Sequence, residues 1–321
     1  MEISANEMKK YITGYLETFE EDGYTSFSRF LPNQAKLLKD RGHSPKENAS
    51  AGMKMEFITD GDGFSFKYRV LAGSSQKIFG IDVLIDGIDT YCVYKCEDSY
   101  EGELVYNIEK EGTKRVTVYF PNLSKISIKE FCVNGSMEPV KRKLKYLALG
   151  DSITQGYVTR HPYLNYVNLL AEKLDADVLN QAIGGDIFYP QSLDEAQKEL
   201  FMPDIITVAY GTNDWSRGLS LYEPAKAYFS KLRSIYANVR IFALTPIHRN
   251  AIQGVIKADG TLEDARQMIK KAAEECGVTV IDGNDLVPHS EDYYCDKNLH
   301  PNELGFVFYA ENLFREIKKY L

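Results

Sequence analysis

Apolar and polar positions alternate along the first part of the chain and gather into short blocks along the second. In "FSFKYRV", Phe64, Phe66, Tyr68 and Val70 fall on one face and Ser65, Lys67 and Arg69 on the other, the two-residue period of a half-buried strand. "IFGIDVLIDGIDTYCVY" predicts two strands joined at Asp86-Gly87, a dipeptide that readily takes the positive φ of a two-residue hairpin. "ELVYNIE", "RVTVYFP" and "ISIKEFCVNG" follow as short runs separated by turn residues, and the whole set predicts an antiparallel sandwich. At the N-terminus, "SANE" (Ser4 to Glu7) fits a capping box, and Met8, Ile12, Tyr15 and Phe19 share a helical face, so a helix is expected there. Residues 31–55 show few strong signals and read as loop.

The pattern changes near residue 140. "EPVKRKLKYLALG" carries Lys141, Arg142, Lys143 and Lys145, which read as a solvated linker entering a strand rather than a phosphate patch. Apolar strands "LKYLALG", "ADVLNQAI", "DIITVAYG", "VRIFALTP" and "VTVIDG" then alternate with helical patterns at about 162–174, 222–237, 262–276 and 303–320. Such alternation predicts a parallel sheet covered on both faces. The expected division is a β-sandwich domain with an N-terminal helix over 1–140 and an α/β domain over 141–321.

Composition narrows this picture. A chain of 321 residues, 44% hydrophobic, has enough apolar material for two cores,. Its net charge of −8 argues against a nucleic-acid backbone or an anionic membrane as partner,, and leaves neutral ligands such as sugars open. Five cysteines, an odd number with no CxxC pair, read as reduced thiols and argue against a cysteine-based zinc site. "MEISANEMKK" has no apolar signal core, and no run is long enough to cross a membrane, so a cytoplasmic protein is expected. The 22 tyrosines are expected mainly to fill strands,.

In open α/β sheets, ligands bind beyond the carboxyl ends of the strands. The segments in those places are "GDSITQG", "NQAIGGD", "YGTNDW" and "TPIHRN", with "CDKNLHPNELG" before the last helix. A serine hydroxyl needs a base to become a nucleophile, and of the five histidines only His300 sits in such a loop with an acid, Asp296, just before it. Pro301 disfavours helical geometry at His300 and suits the first helical position. Acyl transfer also needs donors for an oxyanion. Gly185 can offer a backbone N–H, Asn213 a side-chain amide, and Ser152 its own N–H. Each has an ordinary reading as a turn residue. A flavin-phosphate loop at "SITQG" is a rival that leaves Gly185, Asn213 and His300 unexplained.

"GDSITQG", the glycine of "NQAIGGD", the asparagine of "GTND" and the histidine of "HPNELG" resemble, in order, the four blocks of the SGNH (GDSL-type) hydrolases across roughly residues 144–321. The resemblance implies a flavodoxin-like three-layer α/β domain with no metal or cofactor. It implies Ser152 as nucleophile, His300 as base, and Gly185, Asn213 and the Ser152 N–H as oxyanion hole. A β-rich part ahead of such a domain is similar to two-domain carbohydrate O-acetylesterases, which carry a jelly-roll-like β-sandwich before the hydrolase domain. An acetylated mono- or oligosaccharide is then the expected substrate. One departure is Lys297, which stands where the family has its aspartate. Either Asp296 or a backbone carbonyl then orients His300. Tyr157, Trp215 and Arg249 could line the substrate, whereas Asp151 and Asp214 read as structural. His161 reads as a helix cap, and His248 as part of a solvated loop. A short-chain lipase or thioesterase, a non-catalytic carbohydrate-binding protein on the same scaffold, and a homo-oligomer assembled through the β domain remain open.

Overall fold

The computed structural model describes residues 2–97 and 99–321. It divides into two compact units. The first runs to Lys143 and includes Arg160–Tyr163 and Asp177–Leu179 from later in the chain, and the second begins at Leu144.

The first unit is built from two antiparallel sheets. One has the order Glu17–Glu21, Tyr24–Ser28, Ser124–Asn134, Gly63–Ala72, Ser99–Asn107. The other has the order Glu138–Pro139, Lys54–Thr59, Lys114–Tyr119, Phe79–Ile85, Ile88–Lys95. The alternation at 64–70 appears as expected, with Phe64, Phe66, Tyr68 and Val70 all buried. Asp86 and Gly87 have φ of 52° and 83° between the paired strands Phe79–Ile85 and Ile88–Lys95. The core between the sheets is apolar and rich in aromatics. Phe57 lies against Phe64 and Phe131 with ring centroids 5.8 and 5.9 Å apart.

Three expectations are corrected in this unit. The N-terminal helix is a single turn, Ala5–Met8, capped by the Ser4 side chain and followed by a 3-10 turn. Ile12 and Thr13 leave the helix to pair with Met55 and Lys54, because a β-branched pair on a sheet edge satisfies its backbone there. Phe19 consequently stands 53% exposed on a strand. Residues 31–55 are not all loop. Pro32 opens a helix, Pro32–Asp40, and the Gln34 side chain accepts the Leu31 N–H at 3.0 Å. Finally, Arg142 is no solvated linker residue. Its side chain is 3% exposed and pairs with the Glu56 carboxylate, which also takes Lys54 Nζ at 3.2 Å and the Thr117 hydroxyl at 3.0 Å.

The second unit is an α/β layer structure on one five-stranded sheet. Its spatial order is Ala176–Asn180, Leu144–Gly150, Ile205–Ala209, Arg240–Leu244, Thr279–Ile281. Numbered along the chain this is 2-1-3-4-5, the flavodoxin-like order. The contacts from Leu144–Gly150 to Ile205–Ala209 and onward to Thr279–Ile281 are parallel. Helices Tyr166–Leu174 and Glu303–Lys318 pack together through Tyr166 and Tyr309, whose rings stack at 4.0 Å. Helices Tyr222–Ile235 and Leu262–Glu275 form a second pair. The crossover from the first strand to the second runs opposite to the later ones, so the right-handed rule puts its helix on the other face. The first and third strands are neighbours at the point where the order reverses, and the loops that leave them diverge there into a crevice.

Glu56→Ala would remove the carboxylate shared by two buried cations, Lys54 and Arg142. We expect it to destabilise the first unit by about 3–5 kcal/mol, read as a lowered urea midpoint of its unfolding transition. A midpoint unchanged from wild type would show that the cluster adds nothing to stability.

Candidate active site

The site begins where the strand Leu144–Gly150 ends. A Cβ on Gly150 would lie 2.3 Å from Thr154 Oγ1, so only glycine lets the chain turn this tightly. Asp151 caps the one-turn helix Ser152–Gln155, its Oδ1 accepting the Ile153 N–H at 3.0 Å. Gly156 closes the turn at φ 99°. Ser152 is thereby the first helical residue, 9% exposed, with its hydroxyl directed at the last histidine.

Ser152 Oγ lies 3.0 Å from His300 Nε2, and His300 Nδ1 lies 2.7 Å from Asp296 Oδ2. With Nδ1–H donating to the carboxylate, Nε2 is left to accept the serine proton. Asp296 is the residue that faces the ring, through a loop that folds around its own carboxylate. Oδ1 accepts the backbone N–H groups of Asn298 at 3.0 Å, Leu299 at 2.7 Å and His300 at 3.1 Å. Lys297, at φ 59°, makes the turn that brings these donors inward. The loop is held at its ends by the Cys295 N–H donating to the His300 carbonyl at 2.8 Å. Pro301 is not the first helical residue. Asn302 is the cap of Glu303–Lys318, its side chain accepting the Gly305 N–H at 2.9 Å.

The three expected donors sit differently. Among the described residues, the N–H groups of Ser152 and Gly185 have no hydrogen-bond acceptor. Gly185 has φ 82°, and its carbonyl accepts Arg217 Nη2 at 2.5 Å. The adjacent Gly184 N–H is held by Gln155 Oε1 at 2.7 Å. Asn213, in the short helix Thr212–Ser216, already uses its amide: Nδ2 donates to Asp151 Oδ2 and to the Asp186 carbonyl, both at 3.1 Å.

Two carboxyls of this region are pushed in opposite directions. Burial raises Asp151 to about 7, aided by the charges of Asp214 and Asp186 and opposed by the Ile153 N–H and by His300. Partial burial also lifts Asp296, but the His300 ring and the three backbone donors outweigh it and hold this carboxyl well below the usual range. Burial likewise raises Asp214 to about 6, and its Oδ1 accepts the Phe188 N–H at 3.1 Å.

The candidate lining residues divide. The Tyr157 ring lies 4.6 Å from the His300 ring, tilted by 53°. Trp215 is not an open stacking platform. It is 2% exposed, and its indole N–H donates to the Gly260 carbonyl at 3.0 Å. Over its ring lies the Arg249 guanidinium, 5.6 Å from the centroid. Arg249 donates to Ser216 Oγ at 2.7 Å, and its Nε is buried without an acceptor among the described residues. His248 stacks on His289 at 3.9 Å. His161 directly precedes the 3-10 turn Pro162–Leu164, and its Nδ1 lies 3.0 Å from Asp82 Oδ1 in the first unit. Sequence reasoning missed Gln155, which holds the Gly184–Gly185 turn. Its signal was present in "SITQG": three residues past Ser152, it lies on the same face of a helical turn.

Residues 148–306 match the model of the GDSL-like lipase/acylhydrolase family. No curated protein sequence matches the chain. Several solved structures share the fold across both units. A salicylyl-acyltransferase from a tetracycline biosynthetic pathway superposes with a TM-score of 0.83 at 20% identity, over 96% of this chain and 94% of that one. A family two carbohydrate esterase from Cellvibrio japonicus does so with a TM-score of 0.68 at 17% identity, over 99% and 97%. An acetyl xylan esterase from Butyrivibrio proteoclasticus gives 0.62 at 17%, over 100% and 98%. Among the described residues, no helix is long and apolar enough to cross a membrane. The family match, the flavodoxin-like sheet and the β-rich unit before it agree, and the chain carries a GDSL-like lipase/acylhydrolase domain across residues 148–306.

Proposed function

We propose that the protein is a serine carboxylic-ester hydrolase that removes acyl groups, acetyl first among them, from carbohydrate hydroxyls. The observation that carries this reading is the unbroken chain from Ser152 Oγ through His300 to Asp296, with steps of 3.0 and 2.7 Å. The carbohydrate esterases among the similar folds support a sugar ester as substrate.

In the proposed cycle, His300 Nε2 takes the Ser152 proton as Oγ attacks the ester carbonyl. The imidazolium that forms faces an Asp296 carboxylate already held in its ionised form. The oxyanion is met by the N–H groups of Ser152 and Gly185, and by Asn213 once its amide exchanges the Asp186 carbonyl for the oxyanion. His300 then protonates the departing sugar oxygen. Water, deprotonated by the same nitrogen, attacks the acyl-enzyme and releases the acid.

A second reading, acyl transfer to an alcohol acceptor other than water, is favoured by one observation, the 0.83 TM-score to an acyltransferase over 96% of the chain. It uses the same first half-reaction.

Acetate release from acetylated xylo- and manno-oligosaccharides tests the first reading. Wild type should release acetate and Ser152→Ala should not; release by neither protein would overturn the sugar-ester assignment. Added glycerol would divide the two readings, by diverting acetyl groups into glyceryl acetate if transfer dominates. Asp296→Asn should lower kcat by roughly 10³–10⁴ with little change in KM; a loss under tenfold would mean that something other than Asp296 orients the ring. Gln155→Leu should act through the Gly185 donor and lower kcat by roughly 10²–10³.

The Asp296 shift also sets a pH dependence. Its folded-state pKa lies below the ordinary 3.8, so the unfolded chain binds the proton more readily. The stability it contributes is complete above about pH 5 and drains away as pH falls below 4. The Tm gap between wild type and Asp296→Asn should therefore shrink on acidification; a gap constant down to pH 3 would contradict the shift.

A further inference from the structure

We infer that Asp82, Cys92 and His161 form a binding site for a divalent transition metal, zinc being the ion their chemistry suits, in the first unit. Asp82 and Cys92 are direct cross-strand partners on Phe79–Ile85 and Ile88–Lys95, so their side chains leave the same face of the sheet. His161 comes from Arg160–Tyr163, the later segment that belongs to this unit. One ligand atom from each of the three lies within 4.8 Å of the others, and His161 Nδ1 stands 3.0 Å from Asp82 Oδ1. A tetrahedral zinc ion with bonds of about 2.0–2.3 Å holds its ligand atoms roughly 3.3–3.7 Å apart, so small side-chain shifts close the site.

The surroundings orient the set. Asp82 is fully buried, and its other oxygen accepts the Tyr163 N–H at 3.1 Å. That bond fixes the carboxylate plane and leaves Oδ1 for the cluster. Asp89 Oδ2 lies 3.9 Å from the same imidazole nitrogen and is available as fourth ligand, or as the acceptor for a bound water. The Tyr163 side chain in turn bonds Asp89. Two carboxyls and a thiol thus surround one imidazole. A divalent ion would take Cys92 as thiolate, its proton passing to solvent, and His161 through Nδ1, the ring proton then sitting on Nε2. An imidazole, a thiolate and a carboxylate are a borderline-soft donor set that suits zinc. Ligands at 82, 92 and 161 follow no spacing motif, which is why cysteine spacing along the sequence argues against a zinc site.

The test uses the full chain, stripped with chelator and titrated with Zn²⁺ against a chromophoric competitor, and in parallel with Co²⁺. Wild type should bind one equivalent, and the cobalt form should show a thiolate-to-metal charge-transfer band. Both should be lost in Cys92→Ser and in His161→Ala, and kept in Cys276→Ser. Wild type that binds no stoichiometric zinc, or whose cobalt form lacks the thiolate band, overturns the site whether or not the variants fold. Binding that persists in both ligand variants overturns it equally.

Discussion

The Asp151 carboxylate is the point on which the catalytic unit is assembled. It is buried at the end of the first strand, where an unpaired charge would be ruinous. Its two oxygens are satisfied from different parts of the chain: Oδ1 by the Ile153 N–H, Oδ2 by the Asn213 amide from beyond the third strand. The first bond shapes the turn that presents Ser152. The second fixes Asn213 beside it. Neither loop can shift without leaving a buried oxygen unpaired, so the crevice between the first and third strands is held at its floor. The cost is visible in the raised pKa of about 7. Relative to an unfolded carboxyl at 3.8, the folded protein prefers the proton, and this group's contribution to stability falls as pH rises from about 4 to about 7.

Asp296 answers the same problem in the opposite way. It is half-exposed, receives three backbone N–H groups and one ring N–H, and so keeps its charge. Two carboxyls in one region are thus separated by environment into a buried acid with its pKa raised to about 7 and a carboxylate behind the histidine that stays ionised at neutral pH,. The second lies in direct hydrogen-bond contact with the ring, so it is the stronger partner for an imidazolium. That contrast matters more to the proposed chemistry than either shift alone.

Much of this was legible in the sequence because it follows from local rules. The alternation at 64–70, the Asp86-Gly87 hairpin and the five strand blocks each express a period or a turn preference. The strand order then carries Ser152, Gly185, Asn213 and His300 to one edge. Most of the failures are non-local, the exception being the helix Pro32–Asp40, which Pro32 opens and Gln34 caps locally. Ile12–Thr13 continues a helical pattern but is claimed by a strand more than forty residues away. Arg142 sits in a basic run that reads as solvated, yet a carboxylate at position 56 draws it inside. Trp215 looks like a platform until Gly260 and Arg249 are found against it. The extra residue between Asp296 and His300 raised an ambiguity that Lys297 removes by adopting a positive φ, a choice that no pattern announces for lysine.

On the proposed mechanism, the occupied amide of Asn213 has a consequence for how binding energy is used. Its two hydrogens are committed to Asp151 and to the Asp186 carbonyl. A neutral ester carbonyl offers a bond no better than the Asp186 carbonyl it would displace, so substrate gains little from this group. An oxyanion is different, because a hydrogen bond to a charged acceptor is roughly twice as strong as a neutral one. The exchange becomes favourable only as charge develops on the carbonyl oxygen. A donor that is already engaged in the resting site therefore discriminates the transition state from the ground state more sharply than a free one. The N–H groups of Ser152 and Gly185, which have no acceptor among the described residues, bond both states but the oxyanion more strongly, so they too raise the rate while Asn213 discriminates most sharply,.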